Sequence, residues 1–160
     1  MDAVLGGWTL GGYARYSSGD ALSFTVSNNL SVMGYPGKLA SYLGGGTPIF
    51  GVTDPRDFNP AVDRYLTPGA FAVPAAYQFG NLAPVLDWVR GPWQKAEAVS
   101  LTKYFPIKDR LRAQFRWDIN NPFNAVRWGD PNTSITSASY GQITSAADPR
   151  KMQLYLAVQF

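Results

Sequence analysis

The stretch Arg110-Leu111-Arg112-Ala113-Gln114-Phe115-Arg116-Trp117-Asp118-Ile119-Asn120 decides how this chain is read. Leu111, Ala113, Phe115, Trp117 and Ile119 share one side of it, while Arg112, Gln114, Arg116, Asp118 and Asn120 share the other. A period of two without a slip is the signature of a β-strand with one apolar and one polar face. The last residues repeat the pattern, with Met152, Leu154, Leu156, Val158 and Phe160 opposing Lys151, Gln153, Tyr155, Ala157 and Gln159. Near the start, Trp8, Leu10, Gly12, Ala14 and Tyr16 oppose Thr9, Gly11, Tyr13, Arg15 and Ser17. Between Lys95 and Phe105 a further strand is readable from Val99, Leu101 and Phe105. Glu97 and Lys103 fall on its apolar side, so they are expected at the rims of that face or at a bulge that resets the register.

These readings predict strands over residues 7–18, 95–105, 110–120 and 151–160, joined by long loops over 19–91 and 121–147. All 12 prolines fall outside the four alternating cores, as expected for a residue that cannot donate to a ladder. Pro106-Ile107-Lys108-Asp109 reads as the tight turn of an antiparallel hairpin. Leu22 to Val26 is a candidate for a further short hairpin, and no conformation is assigned to the rest of the long loop.

Composition narrows the class. Hydrophobic residues make up 46% of the 160 and charged ones only 16%, well below the roughly 25% of soluble domains, so much of the surface is either buried or not facing water. With a net charge of +3 and no basic run, nucleic acid is a poor partner. Cys and His are both absent, which removes disulfides, thiolate metal sites and the commonest catalytic base. No run approaches the roughly 18 apolar residues of a membrane-spanning helix. The first residues show no secretion signal, so a leader is expected upstream.

Alternation with one wet face describes a β-sandwich as well as a membrane barrel. Three further features favour the barrel. The clearest segments have the 9 to 11 residues, roughly, that a tilted strand needs to cross hydrocarbon, against about 5 to 6 for ordinary strands. Short and long connections alternate, as in barrels with short periplasmic turns and long extracellular loops. Trp8, Tyr16, Trp93, Tyr104, Phe105 and Phe160 stand near strand ends, where aromatic girdles lie. The expected fold is therefore all-β, with antiparallel up-and-down strands forming part of an incomplete transmembrane barrel. The alternative is a secreted β-sandwich that binds carbohydrate through exposed aromatics.

The terminal alternation Met152, Leu154, Leu156, Val158, Phe160 resembles the signal by which barrel-assembly machinery recognises outer-membrane proteins. Together with Val89-Arg90-Gly91-Pro92, Ser100 to Ile107, Leu111 to Asp118 followed by Asn121-Pro122-Phe123-Asn124, Tyr140 to Thr144 and Asp148-Pro149-Arg150, the chain resembles the end of TonB-dependent receptors of the Oar-like group, which carry a carboxypeptidase-regulatory-like domain. Tyr16 to Gly19 and Tyr65 to Phe71 extend the likeness into the loops. The resemblance implies the last four strands of an outer-membrane barrel of about 22 strands, and the chain departs from the family in having no room for a plug and no visible TonB-contacting box, so a fragment is expected. It further implies uptake of a scarce solute without enzymatic chemistry. Expected partners are outer-membrane lipid, the assembly machinery, the rest of the barrel and plug, and the TonB complex through that plug.

Within that reading, Arg112, Gln114, Arg116 and Asp118 line the lumen, meeting cargo or plug or simply forming its wetted wall. No catalytic, metal or cofactor residue is expected. Tyr65, Phe71, Tyr77 and Trp88 either grip a ligand or pack the loop. Gly44-Gly45-Gly46-Thr47 lacks the Lys of a phosphate loop. Asp54, Asp57 and Asp63 have no calcium-loop spacing, and Asp87 with Glu97 would be a glycosidase pair only in name.

Overall fold

A computed structural model describes residues 6–26, 39–44, 58–75, 78–108 and 110–160. Its strands are β1 (Trp8–Ser17), β2 (Ala21–Leu22), β3 (Ser41–Tyr42), β4 (Phe71–Ala72), β5 (Leu86–Arg90), β6 (Gln94–Lys108), β7 (Leu111–Asn120) and β8 (Lys151–Gln159). The long strands form one sheet in the order β1-β6-β7-β8, each neighbour antiparallel. This is an open up-and-down sheet whose edges are β1 and β8. The chain divides into two compact units. One holds residues 1–17, 94–127 and 147–160, and the other holds 18–93 and 128–146.

In the sheet unit the register puts the alternating residues of all four strands in phase. Leu10, Leu101, Trp117 and Leu154 form one row across the apolar face, and Gly12, Val99, Ile119 and Met152 form the next. The row before them runs Trp8, Lys103, Phe115 and Leu156. Leu154 is 66% and Leu156 78% exposed, and Phe115 and Trp117 are half-buried beside their in-sheet neighbours. A sandwich would bury these side chains beneath a second sheet. Here, among the described residues, Leu154 and Leu156 stay exposed.

Three expectations are corrected. No register shift occurs between Gln94 and Pro106, so Glu97 and Lys103 stay on the apolar face with no bulge to turn them away. Glu97 lies near the end of the sheet where the long connections leave, as a rim residue should. Lys103 lies further in, only 2% exposed, with its Nζ 4.6 Å from the Trp8 ring centroid and 5.0 Å from that of Phe105. The aromatic π-faces supply the electrostatic partner that lets a cation sit there. Proline also enters the ladder: Pro106 belongs to β6, opposite Arg112, where the register shifts before Lys108. A bulge is the one interior place where a missing N–H is tolerated. The turn is accordingly shorter than Pro106 to Asp109, and Asp109 itself lies outside the described residues.

The second unit is where the buried core is found. Leu22, Phe24, Val26, Ala40, Tyr65, Leu66, Phe71, Leu82, Leu86, Val89, Tyr140 and Ile143 are its members. Leu22 to Val26 forms no hairpin of its own. Instead Ala21 and Leu22 pair with Arg90 and Leu86, and Thr25 forms a parallel bridge to Ser134. The two long connections therefore fold into each other. The Tyr65 amide donates to the Gly141 carbonyl at 2.7 Å, and the Arg64 guanidinium donates to the carbonyls of Ala138 (3.0 Å) and Tyr140. Gly141 has φ +76°, and a Cβ there would stand 2.6 Å from the Leu66 carbonyl oxygen, so only glycine fits.

Candidate functional site

The site begins with a row of small residues on the polar face. Gly11, Ser100, Asp118 and Gln153 face one another across the four strands, and Tyr13, Ala98, Asn120 and Lys151 form the adjacent row. Because Ala98 and Ser100 carry little bulk, the face dips between Tyr13 on one side and Arg116, Asp118, Asn120 and Gln153 on the other. The recess has a volume of about 350 Å³. That falls at the lower end of the range of roughly 300 to 1,000 Å³ for small-molecule sites.

Arg116 Nε donates to Asp118 Oδ1 at 2.9 Å, and the Ser100 hydroxyl also bonds the Asp118 carboxylate. Both charged side chains remain partly exposed, so the pair contributes about 0 to 1 kcal/mol and costs little to rearrange around a guest. The recess presents donors, acceptors and one aromatic ring with a neutral charge balance. It can hold and orient a polar solute. No cluster of three metal-ligating side chains occurs among the described residues.

Of the lumen residues expected from sequence, Arg116 and Asp118 line this recess. Gln114 and Arg112 lie further along β7. Gln159 Nε2 donates to Gln114 Oε1 at 3.0 Å, and the Arg112 guanidinium lies 5.6 Å from the Tyr104 ring centroid. Tyr13, Ser100, Asn120 and Gln153 complete the recess without having been singled out. Their polar-face position was readable from alternation, but the register that aligns Ser100 with Asp118 was not. The terminal residues Met152, Leu154, Leu156 and Val158 all stand exposed on the apolar face of β8, and Phe160 follows the strand, fully exposed.

The remaining candidates are absorbed by the fold. Tyr65 and Phe71 are core residues of the second unit, with Phe71 stacked on Phe24 at 4.1 Å between centroids. Trp88 is half exposed and packs edge-on against Tyr42. Burial, with a lesser effect of Asp130, pushes the Tyr65 hydroxyl up to about 12, and burial alone does the same to Tyr140. Tyr65 donates to the Arg90 carbonyl at 2.9 Å. Asp130 has its carboxylate against Gly91 and is raised by burial and then by Asp20. Asp63 accepts from the Asn59 amide within its own turn, and Glu97 is held by Arg127 at 3.0 Å. Asp87 is exposed, and Gly44 stands at φ +78°. Gly45, Gly46, Thr47, Asp54, Asp57 and Tyr77 lie outside the described residues.

Residues 1–153 match the model of a family described as outer membrane beta barrel domain. No curated protein and no solved structure matches the chain. Long in-phase antiparallel strands with exposed apolar side chains on one face and polar ones on the other are what a barrel wall requires. The chain belongs to the outer membrane beta barrel domain family and forms part of a β-barrel of the bacterial outer membrane.

Proposed function

We propose that this sheet is part of the wall of a TonB-dependent transporter that takes up a scarce solute, and that it carries no enzymatic activity of its own. The polar recess around Arg116, Asp118, Ser100 and Tyr13 is the observation that carries the reading, because it offers reversible polar contacts on the face turned away from lipid. The order of motifs from Val89 to Phe160 supports the finer assignment to Oar-like receptors. In that setting Met152, Leu154, Leu156, Val158 and Phe160 are read by the barrel-assembly machinery. β8 runs toward the periplasm, and the two long connections leave at the extracellular end.

Further strands complete the ring. In hydrocarbon each unpaired amide or carbonyl along the edges of β1 and β8 would cost several kcal/mol. A plug inside that ring meets the lumen face and couples it to the TonB complex.

The test compares what cells remove from their medium. Wild-type cells, cells lacking the gene that encodes this chain, cells lacking TonB and cells carrying Ser100→Trp, which fills the recess, are grown in one medium whose solutes are followed by mass spectrometry. A solute depleted by the wild type and left behind by the other three supports the proposal. If no solute depends on both this gene and TonB, the transporter assignment fails.

A further inference from the structure

We infer that the apolar face carries a binding groove for one acyl chain of an anionic lipid of the outer leaflet; this rests on the orientation proposed above. The groove, about 450 Å³ in volume, is lined by Leu10, Gly12, Ala14, Val99, Pro122 and Phe123, with Glu97 at its outer end. It exists because its floor includes a position that admits no side chain. A Cβ on Gly12 would stand 2.6 Å from the Ala98 carbonyl oxygen, so this position must lack a side chain, and Ala14 beside it adds only a methyl. Elsewhere the same face bristles with Leu, Trp and Phe. Here it is a dent.

The outer wall is built, not incidental. Asn121 turns the chain back over the apolar face at φ +53°, its amide donating to the Glu97 carbonyl at 2.9 Å. Its side chain bonds both the amide and the carbonyl of Ala125, and Asn124, at φ +50°, accepts from the Arg150 amide. Asn121 is only 1% exposed, whereas Phe123, carried on the same turn, is 75% exposed. A ring held in place by this many bonds and left uncovered is displayed toward something apolar. The occupant follows from continuity: the groove lies on the face that meets hydrocarbon, so it fills with the chain of a neighbouring lipid.

Charge at its outer end favours an anionic headgroup. Glu97 is neutralised by Arg127 at 3.0 Å and accepts from the Tyr16 hydroxyl, and Lys95, opposite Tyr16 on the same face, is exposed and available to an anion.

The test is retention of phosphatidylglycerol by the protein on release from detergent micelles into the gas phase. Wild type is expected to keep one lipid at no less than about five times the level of Ala14→Leu, which fills the groove, or of Phe123→Ala, which removes a wall. Phe123 is exposed, so its loss leaves the fold intact, and heat-dependent gel mobility verifies this for each variant. Leu156→Ala, on the same face away from the groove, should retain lipid as wild type does, and phosphatidylcholine should be kept less well than phosphatidylglycerol. Equal retention by wild type and both groove variants overturns the site, as does an equal loss in Leu156→Ala. Equal retention of the two lipids overturns the headgroup preference. Partition of the protein into buffer instead of detergent would count against the membrane reading itself, which separates the two failures.

Discussion

Lys103 offers the sharpest test of the physical picture. It stands six residues after Glu97 on the same face of β6. At about 3.3 Å per residue the two are roughly 20 Å apart along the strand, or about 15 Å across the membrane for a tilt of about 40°. An apolar band is about 25 Å tall, so a charge at Glu97 on the outer boundary puts Lys103 inside the inner one. A lysine on the lipid face costs from about 0 to 1 kcal/mol near the interface to about 2 to 4 at the midplane.

Two cation–π contacts, with Trp8 at 4.6 Å and Phe105 at 5.0 Å, offset that cost by up to about 2 kcal/mol each when desolvated. Trp8→Leu keeps an apolar group but loses one such contact. It also loses the edge-on packing of Trp8 on Phe115 at 6.5 Å, worth about 0.5 to 1.5 kcal/mol. The total is about 2 to 3 kcal/mol. In a Lys103→Met background only the ring-packing loss remains, so the coupling energy should be about 1 to 2 kcal/mol. Lys103→Met alone should change stability by no more than about 1 kcal/mol, because the removed cost and the removed attraction nearly cancel. Urea unfolding of the four proteins in detergent micelles gives the cycle directly. A coupling below about 0.5 kcal/mol, the scatter of independent sites, would refute the clamp.

Three more outcomes follow from the geometry. Gly141→Val should destabilise the second unit by about 2 to 4 kcal/mol, through its left-handed backbone and the approach to the Leu66 carbonyl; limited proteolysis would read this as faster cleavage within residues 18–93. Removing Glu97 alone should cost about 3 to 5 kcal/mol, because it strands the mostly buried Arg127, whereas Glu97→Leu with Arg127→Met together should be close to neutral in the same urea assay. Tyr65 and Tyr140 have folded values of about 12, above the ordinary 10, so the folded unit favours their neutral forms. The stabilisation is full below pH 10 and is lost as pH rises through 12, so near-ultraviolet circular dichroism of the loops should hold to about pH 10 and collapse above it, less steeply in Tyr65→Phe.

Strands were legible wherever one residue's environment depends only on its neighbours in the chain. Leu111 to Asn120 and Met152 to Gln159 show their two faces because hydrocarbon and water demand opposite side chains at every second position. The same rule misplaced Lys103 and the end of β6. A lysine clamped between rings across two strands looks, along its own strand, like an error of register, and Pro106 looks like a turn until the bulge opposite Arg112 accommodates it. The loops resisted for a related reason. Tyr65, Leu66 and Gly141 are distant in sequence, and nothing local announces that they meet.

The sequence by itself determined the two-faced ribbons, the absence of cysteine and histidine chemistry, and the polar identity of Arg112, Gln114, Arg116 and Asp118, since these depend on composition and a period of two. Only the tertiary structure decided that Ser100, Asp118, Tyr13 and Gln153 share one recess, that the long connections bury a core in each other, and that Gly12 leaves a groove on the greasy face. Each of those rests on pairing between segments far apart in the chain. A side chain's facing is a local property, whereas its neighbours across a sheet are chosen by register, which no single strand contains.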